Sequence, residues 1–148
     1  MDKLELEAYM RENIPLARAM DVRFDELTPL SAQLSAPLEP NLNHHGTGFG
    51  GSLASLALLT GWAALRAAAH EAGINPLFVV RRYGFEFLAP ARGELVANAR
   101  VPEGWPEFVR AFSTGAGGRL EVNCELTSDG RQVGRCTALY VGLAREEV

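Results

Sequence analysis

Apolar positions change their spacing several times along this chain, and each change marks an element. From Leu4 to Ala19, apolar residues at Leu6, Tyr9, Met10, Ile14 and Leu16 recur at partly helical intervals. Pro15 interrupts them, so a short helix followed by a turn is predicted. From Val22 to Leu38 the period shortens to alternation, with Val22, Phe24 and Leu27 and then Leu30, Ala32, Leu34 and Ala36, and Thr28-Pro29 marks a bend between two strands. Pro37 and Pro40 end the pairing, because neither can donate to a sheet ladder.

The next twelve residues, Asn41 to Ser52, hold four glycines and two asparagines, the composition of a shaped turn. After it, Leu53 to Ala69 is almost wholly apolar, and Arg66 is the only formal charge between Glu39 and Glu71. A helix apolar on all sides is either a core helix or a membrane span. Gly50 to Leu65 reaches only about 24 Å, short of the roughly 20 residues a span needs, so a core helix is expected.

Strands fill the remainder. Leu77 to Leu88 is rich in aromatic and β-branched residues, and Pro90 to Gly93 turns it toward Glu94 to Val101, which predicts a hairpin. Pro106 to Thr114 reads as a short helix with Phe108, Val109 and Phe112 on one side, before the turn Gly115 to Gly118. Leu120 to Thr127 and Gln132 to Leu143 alternate around Asp129-Gly130, a strong hairpin signal. One long apolar helix must therefore be covered by five or six strands, and curling the sheet around it buries both. The prediction is a single α+β domain over residues 1–148, a curved antiparallel sheet wrapped on a central helix, pairing into an isologous homodimer because the far side of the helix stays open.

Length and composition fit that picture: 148 residues, 47% of them apolar and 22% charged, suffice for one core. A net charge of -4, with Lys3 the only lysine, gives no electrostatic reason to expect nucleic acid. The start Met-Asp-Lys-Leu-Glu-Leu-Glu lacks the order of a secretory signal, so a cytoplasmic setting is expected. In such a setting Cys124 and Cys136, on adjacent strands, read as reduced core thiols that could face each other.

Candidate chemistry concentrates where the glycine-rich loop meets the helix. Unpaired N–H groups and the positive dipole end lie there, and Gly50 and Gly51 carry no side chain to block a substrate, which is how a main-chain oxyanion hole is built. Close packing alone would also call for such glycines.

The run Ala36-Pro37-Leu38, Pro40-Asn41, Asn43, Gly46-Thr47, Phe49-Gly50-Gly51-Ser52-Leu53, Leu56 and Gly61-Trp62 resembles the thioesterase-type domain forming the C-terminal half of YiiD-type proteins. Ile14-Pro15-Leu16, Met20, Leu88-Ala89-Pro90 and Tyr140-Val141 extend the resemblance over about residues 13–143. It implies the hotdog fold, a homodimer or a tetramer, and hydrolysis of an acyl-CoA or acyl-carrier-protein thioester without a cofactor. The same segment is more distantly similar to the phenylacetyl-CoA-type hotdog thioesterases, matching at Asn43, Gly46, Gly50 and Gly51. Phe49 stands at their histidine and Leu58 at their helical acid, so no general base comes with the likeness.

On these grounds Asn43, Gly51 and Ser52 are the expected catalytic positions, with Asn43 near the water and backbone N–H groups on the carbonyl oxygen. His45, Gly46, Phe49, Gly50 and Ser55 are expected to bind substrate, and Arg82 and Arg119 to meet coenzyme A phosphates. The histidines His44 and His45 also read as solvated turn residues, and Glu86, the one acid inside the long third strand, as either a site group or a solvated one. Two other functions remain open: a non-catalytic acyl-CoA binding domain, and a hydratase or dehydratase, for which the acid/base pattern is missing.

Overall fold

The computed structural model describes residues 2–145. Helix α1, Lys3–Asn13, starts on a capping box in which Asp2 and Glu5 satisfy each other's backbone N–H groups. Pro15, tolerated at a first helical position, opens a second helix α2, Pro15–Ala19, where only a turn was expected. Strands β1, Arg23–Thr28, and β2, Ser31–Ala36, form the expected hairpin, and one 3-10 turn, Glu39–Asn41, leads into the glycine-rich loop.

The central helix α3 spans Gly50–Glu71. At 22 residues it is about 33 Å long, so the length argument against a membrane span fails. Burial replaces it, since 61% of its most apolar window lies inside the protein. Strands β3, Leu77–Phe87, β4, Leu95–Arg100, β5, Gly118–Ser128, and β6, Arg131–Leu143, complete the fold, with helix α4, Trp105–Ser113, between β4 and β5. All six strands form one antiparallel sheet in the order β1-β2-β4-β5-β6-β3, curled about α3 in the hotdog arrangement.

One pairing differs from expectation. β3 and β4 are not a hairpin: β3 pairs with β6, and β4 lies between β2 and β5. The connection from 88 to 94 instead crosses the mouth of the sheet, where Ala91 is buried and its carbonyl accepts the Gly48 N–H at 2.8 Å. β3 is thereby left as an edge strand, and Val80, Tyr83 and Phe87 are exposed along it although the ladder places them on the face toward α3.

The β5–β6 hairpin turns on Asp129 and Gly130, both at positive φ, as a two-residue primed turn requires. Its register sets Cys124 directly across from Cys136; both are buried and free. Tyr140 reaches from β6 into the middle of α3, where its hydroxyl donates to the Leu58 carbonyl at 2.6 Å and meets the Trp62 backbone. Gly61 leaves the room for it, because a Cβ there would collide with the hydroxyl.

Candidate active site

The loop before α3 is held by its two asparagines. Asn41 is buried and its Nδ2 donates to the Met20 carbonyl at 3.0 Å and the Pro37 carbonyl at 2.8 Å, while its own carbonyl accepts the Phe49 N–H at 2.7 Å. Asn43 folds the tip. Its Oδ1 accepts the N–H groups of His45 and Thr47 at 2.8 and 3.1 Å, and its Nδ2 donates to Thr47 Oγ1 at 2.9 Å. Gly46 adopts φ +80, a conformation that L side chains rarely take, and Leu42 bridges to Gly48 across the loop. Expected near the water, Asn43 has its side-chain polar atoms engaged within the loop.

At the helix start, the Phe49 carbonyl takes the N–H groups of both Ser52 and Leu53, at 2.9 and 3.1 Å. Ser52 N–H is therefore already engaged. For Gly50 and Gly51 no N–H acceptor is found among the described residues, so these two donors point outward at the positive end of a 22-residue helix. A Cβ at Gly50 would stand 3.1 Å from the exposed Phe87 ring, and one at Gly51 would push the exposed Phe49 ring aside. An open cleft of about 390 Å³ adjoins them, lined by Thr47, Gly48, Gly50, Leu53 and the stretch Phe87 to Ala91.

Beyond the cleft, Gly51, Ser55, Leu59, Trp62 and Arg66 follow one another by three or four residues, and Leu58 sits beside them. These residues form the incompletely covered stripe of α3, between Tyr9 of α1, stacked on Trp62 with ring centroids 6.3 Å apart, and the exposed side chains of β3. His44 and His45 lie at the exposed loop tip with ring centroids 3.9 Å apart, outside the cleft lining. Arg82 and Arg119, opposite Leu139 and Val141, fall on the convex face of the sheet, away from α3. Glu86 also faces outward. It forms a bidentate pair with Arg135 at 3.2 and 3.0 Å, and those hydrogen bonds, with the arginine's charge, hold its carboxyl below the ordinary range.

The structure thus brings Phe49, Gly50, Gly51 and Ser55 to one end of α3 and leaves His45, Arg82 and Arg119 elsewhere. Phe87 over Gly50, Ala91 beneath Gly48 and the buried Asn41 were not singled out as site residues. The contacts of Phe87 and Ala91 arise from residues about forty positions away, for which the local pattern holds no signal. No group of histidines, cysteines and acids able to hold a metal occurs among the described residues. The cleft has the Gly50 donor in an uncharged, mostly apolar wall, with the Gly51 N–H next to it along the helix start, a setting that suits an oxygen gaining negative charge.

Over residues 3–144 the chain matches the family described as "Putative thioesterase (yiiD_Cterm)". It belongs to that family. Among solved structures, the "putative thioesterase from Shewanella oneidensis" is 24% identical with a TM-score of 0.85, covering 96% of this chain and 97% of that one. A protein of unknown function from Chlorobaculum tepidum is 23% identical with a TM-score of 0.91, covering 97% and 94%. A Pseudomonas aeruginosa protein of unknown function, named a "probable thioesterase", is 26% identical with a TM-score of 0.79, covering 95% of each chain. Membership supports a general thioesterase role.

Proposed function

We propose that this chain is an acyl thioesterase of coenzyme A or of an acyl carrier protein, acting as a homodimer at the N-terminus of α3. The observation that carries it is the pair of unengaged N–H groups at Gly50 and Gly51 beside an open, uncharged cleft. The thioester carbonyl oxygen accepts from these donors. A water oxygen bonds to the carbonyl carbon, the C–S bond breaks, and the proton released from the water ends on the departing sulfur. Ser55, one turn beyond Gly51 on the same stripe, is the hydroxyl placed to hold that water. Phe49 and Phe87 flank the carbonyl, and the acyl chain follows Leu58, Leu59 and Trp62.

Two copies are needed because one leaves this path open along its length. β3 is a free sheet edge of 11 residues with Val79, Val80, Tyr83 and Phe87 exposed, and antiparallel pairing with a second β3 would bury them. The paired cysteines, free and buried, are compatible with a reducing, cytoplasmic setting.

The test is thiol release from a panel of acyl-CoA and acyl-carrier-protein substrates. Turnover by the pure protein that falls by about two orders of magnitude in Gly51→Val, whose side chain fills the approach to the donors, is the expected result. Absence of turnover on every substrate would remove hydrolysis. One feature favours a second function, acyl-thioester binding without hydrolysis: no titratable side chain lines the cleft. Calorimetric binding of acyl-CoA without thiol release would establish it. The missing acid/base pair also disfavours a hydratase, and an enoyl-CoA hydration assay is expected to give no product.

A further inference from the structure

At the far end of the open stripe two arginines share one neutral acceptor. Arg66 Nη1 and Arg145 Nη2, from α3 and from just beyond β6, each donate to Asn75 Oδ1 at 3.0 Å, and Arg66 Nη1 also reaches the Pro76 carbonyl at 3.4 Å. Sharing one acceptor, the two nitrogens are at most about 6 Å apart, a separation that two oxygens of one phosphate group can serve. Arginines this close repel each other and normally gather around an acid. Here a neutral amide oxygen holds both, and neither has a salt-bridge partner among the described residues. Partial burial and the charge of Arg145 both pull the Arg66 guanidinium below its ordinary value. No Asp or Glu occurs between Ile74 and Phe85, while Arg81 and Arg82 do, and Glu146 and Glu147, which follow Arg145, lie outside the described residues. On a protein of net charge -4 these two arginines are already oriented around one neutral acceptor among the described residues.

The position of this arginine corner says which anion suits it. Within one protomer the corner lies about 22 Å along α3 from Gly51. However, β3 runs from beside Asn75 to the Phe87 ring over Gly50. Antiparallel pairing of two β3 edges therefore brings the start of one strand, with its arginines, next to the end of the other and the helix start it covers. We propose that Arg66 and Arg145, gathered on Asn75, form a phosphate clamp for the phosphopantetheine-type carrier whose acyl end lies at the helix start of the paired protomer. This rests on the dimeric thioesterase described above and names the residues that would grip its substrate.

Calorimetry with coenzyme A, 4′-phosphopantetheine and pantetheine tests the clamp in the full chain. Wild type is expected to bind coenzyme A more tightly than pantetheine, and Arg145→Gln and Arg66→Gln each to cut that preference by about tenfold, the loss of one charge-assisted hydrogen bond. Phosphopantetheine bound as well as coenzyme A assigns the clamp to the phosphate that both carriers share; a preference for coenzyme A alone assigns it to the nucleotide phosphates. Arg145 is exposed, so Arg145→Gln keeps the test valid if Arg66→Gln fails to fold. An unchanged preference in Arg145→Gln, or a wild type that does not prefer the phosphorylated ligands, overturns the clamp. Thiol release is scored separately: hydrolysis with an unchanged preference rejects the clamp and keeps the thioesterase, whereas a lost preference without hydrolysis keeps the clamp and rejects catalysis.

Discussion

Tyr140 shows how one side chain ties the sheet to the helix whose start borders the candidate site. Its hydroxyl donates to the Leu58 carbonyl from a position where only a glycine at 61 leaves space. Tyr140→Phe removes this hydrogen bond and is expected to cost about 1 kcal/mol, and Gly61→Ala to cost about 1–3 kcal/mol by overpacking. In urea melts the double variant should be more stable than the two losses added together, because Phe lacks the oxygen that the new methyl meets. Strict additivity would show that Gly61 serves some other contact. Asn43 makes the complementary point about the loop. With Asn43→Ala the N–H groups of His45 and Thr47 lose their acceptor, so turnover should fall by about tenfold with little change in substrate preference. Unchanged turnover would mean the loop holds its shape without it. The partners of Asn43 were not legible in the sequence, since an asparagine that orients water and one that closes a turn look alike until their hydrogen bonds are placed.

At the scale of elements, alternation and turn residues marked every strand, and Asp129-Gly130 marked its hairpin, because those signals are local. The partner of β3 was not legible. Pro90 to Gly93 looks like a hairpin turn, yet β3 gains more from the free side of β6 while the connector seals the helix mouth with Ala91. The β5–β6 register has a measurable consequence through its facing thiols. Desolvation pushes Cys136 up to about 11 from an ordinary 9.0 and Cys124 higher still. A thiol whose folded pKa is raised releases its proton more readily when unfolded, so its stability contribution is intact below pH 9 and is lost as pH rises through about 11. The melting temperature should decline between these limits, and Cys124→Ala/Cys136→Ala should flatten the decline. An equal slope in that variant would assign it to Tyr140, which burial also raises.

The whole molecule poses the question of what covers the open side of α3. An edge strand of 11 residues with several exposed apolar side chains is a template for pairing, and soluble monomers usually blunt such edges with lysine, proline or a short strand. β3 has none of the three. It has a bulge between Val80 and Arg82, which shifts the register against β6 but leaves Val80 and Tyr83 on the face toward the helix. Placing a charge there should prevent pairing without touching the protomer's own ladder, so the proposed dimer predicts that Tyr83→Lys sediments at half the mass of the wild type. If the thioester path and the phosphate clamp are assembled from two copies, the same variant should also lose turnover and the preference for phosphorylated ligands, although Gly50, Gly51, Arg66 and Arg145 are all unchanged. A Tyr83→Lys monomer that retains both would show that each site is complete in one chain. A wild type that sediments as a monomer would leave the α3 stripe facing water and remove the route by which the arginine corner reaches the helix start.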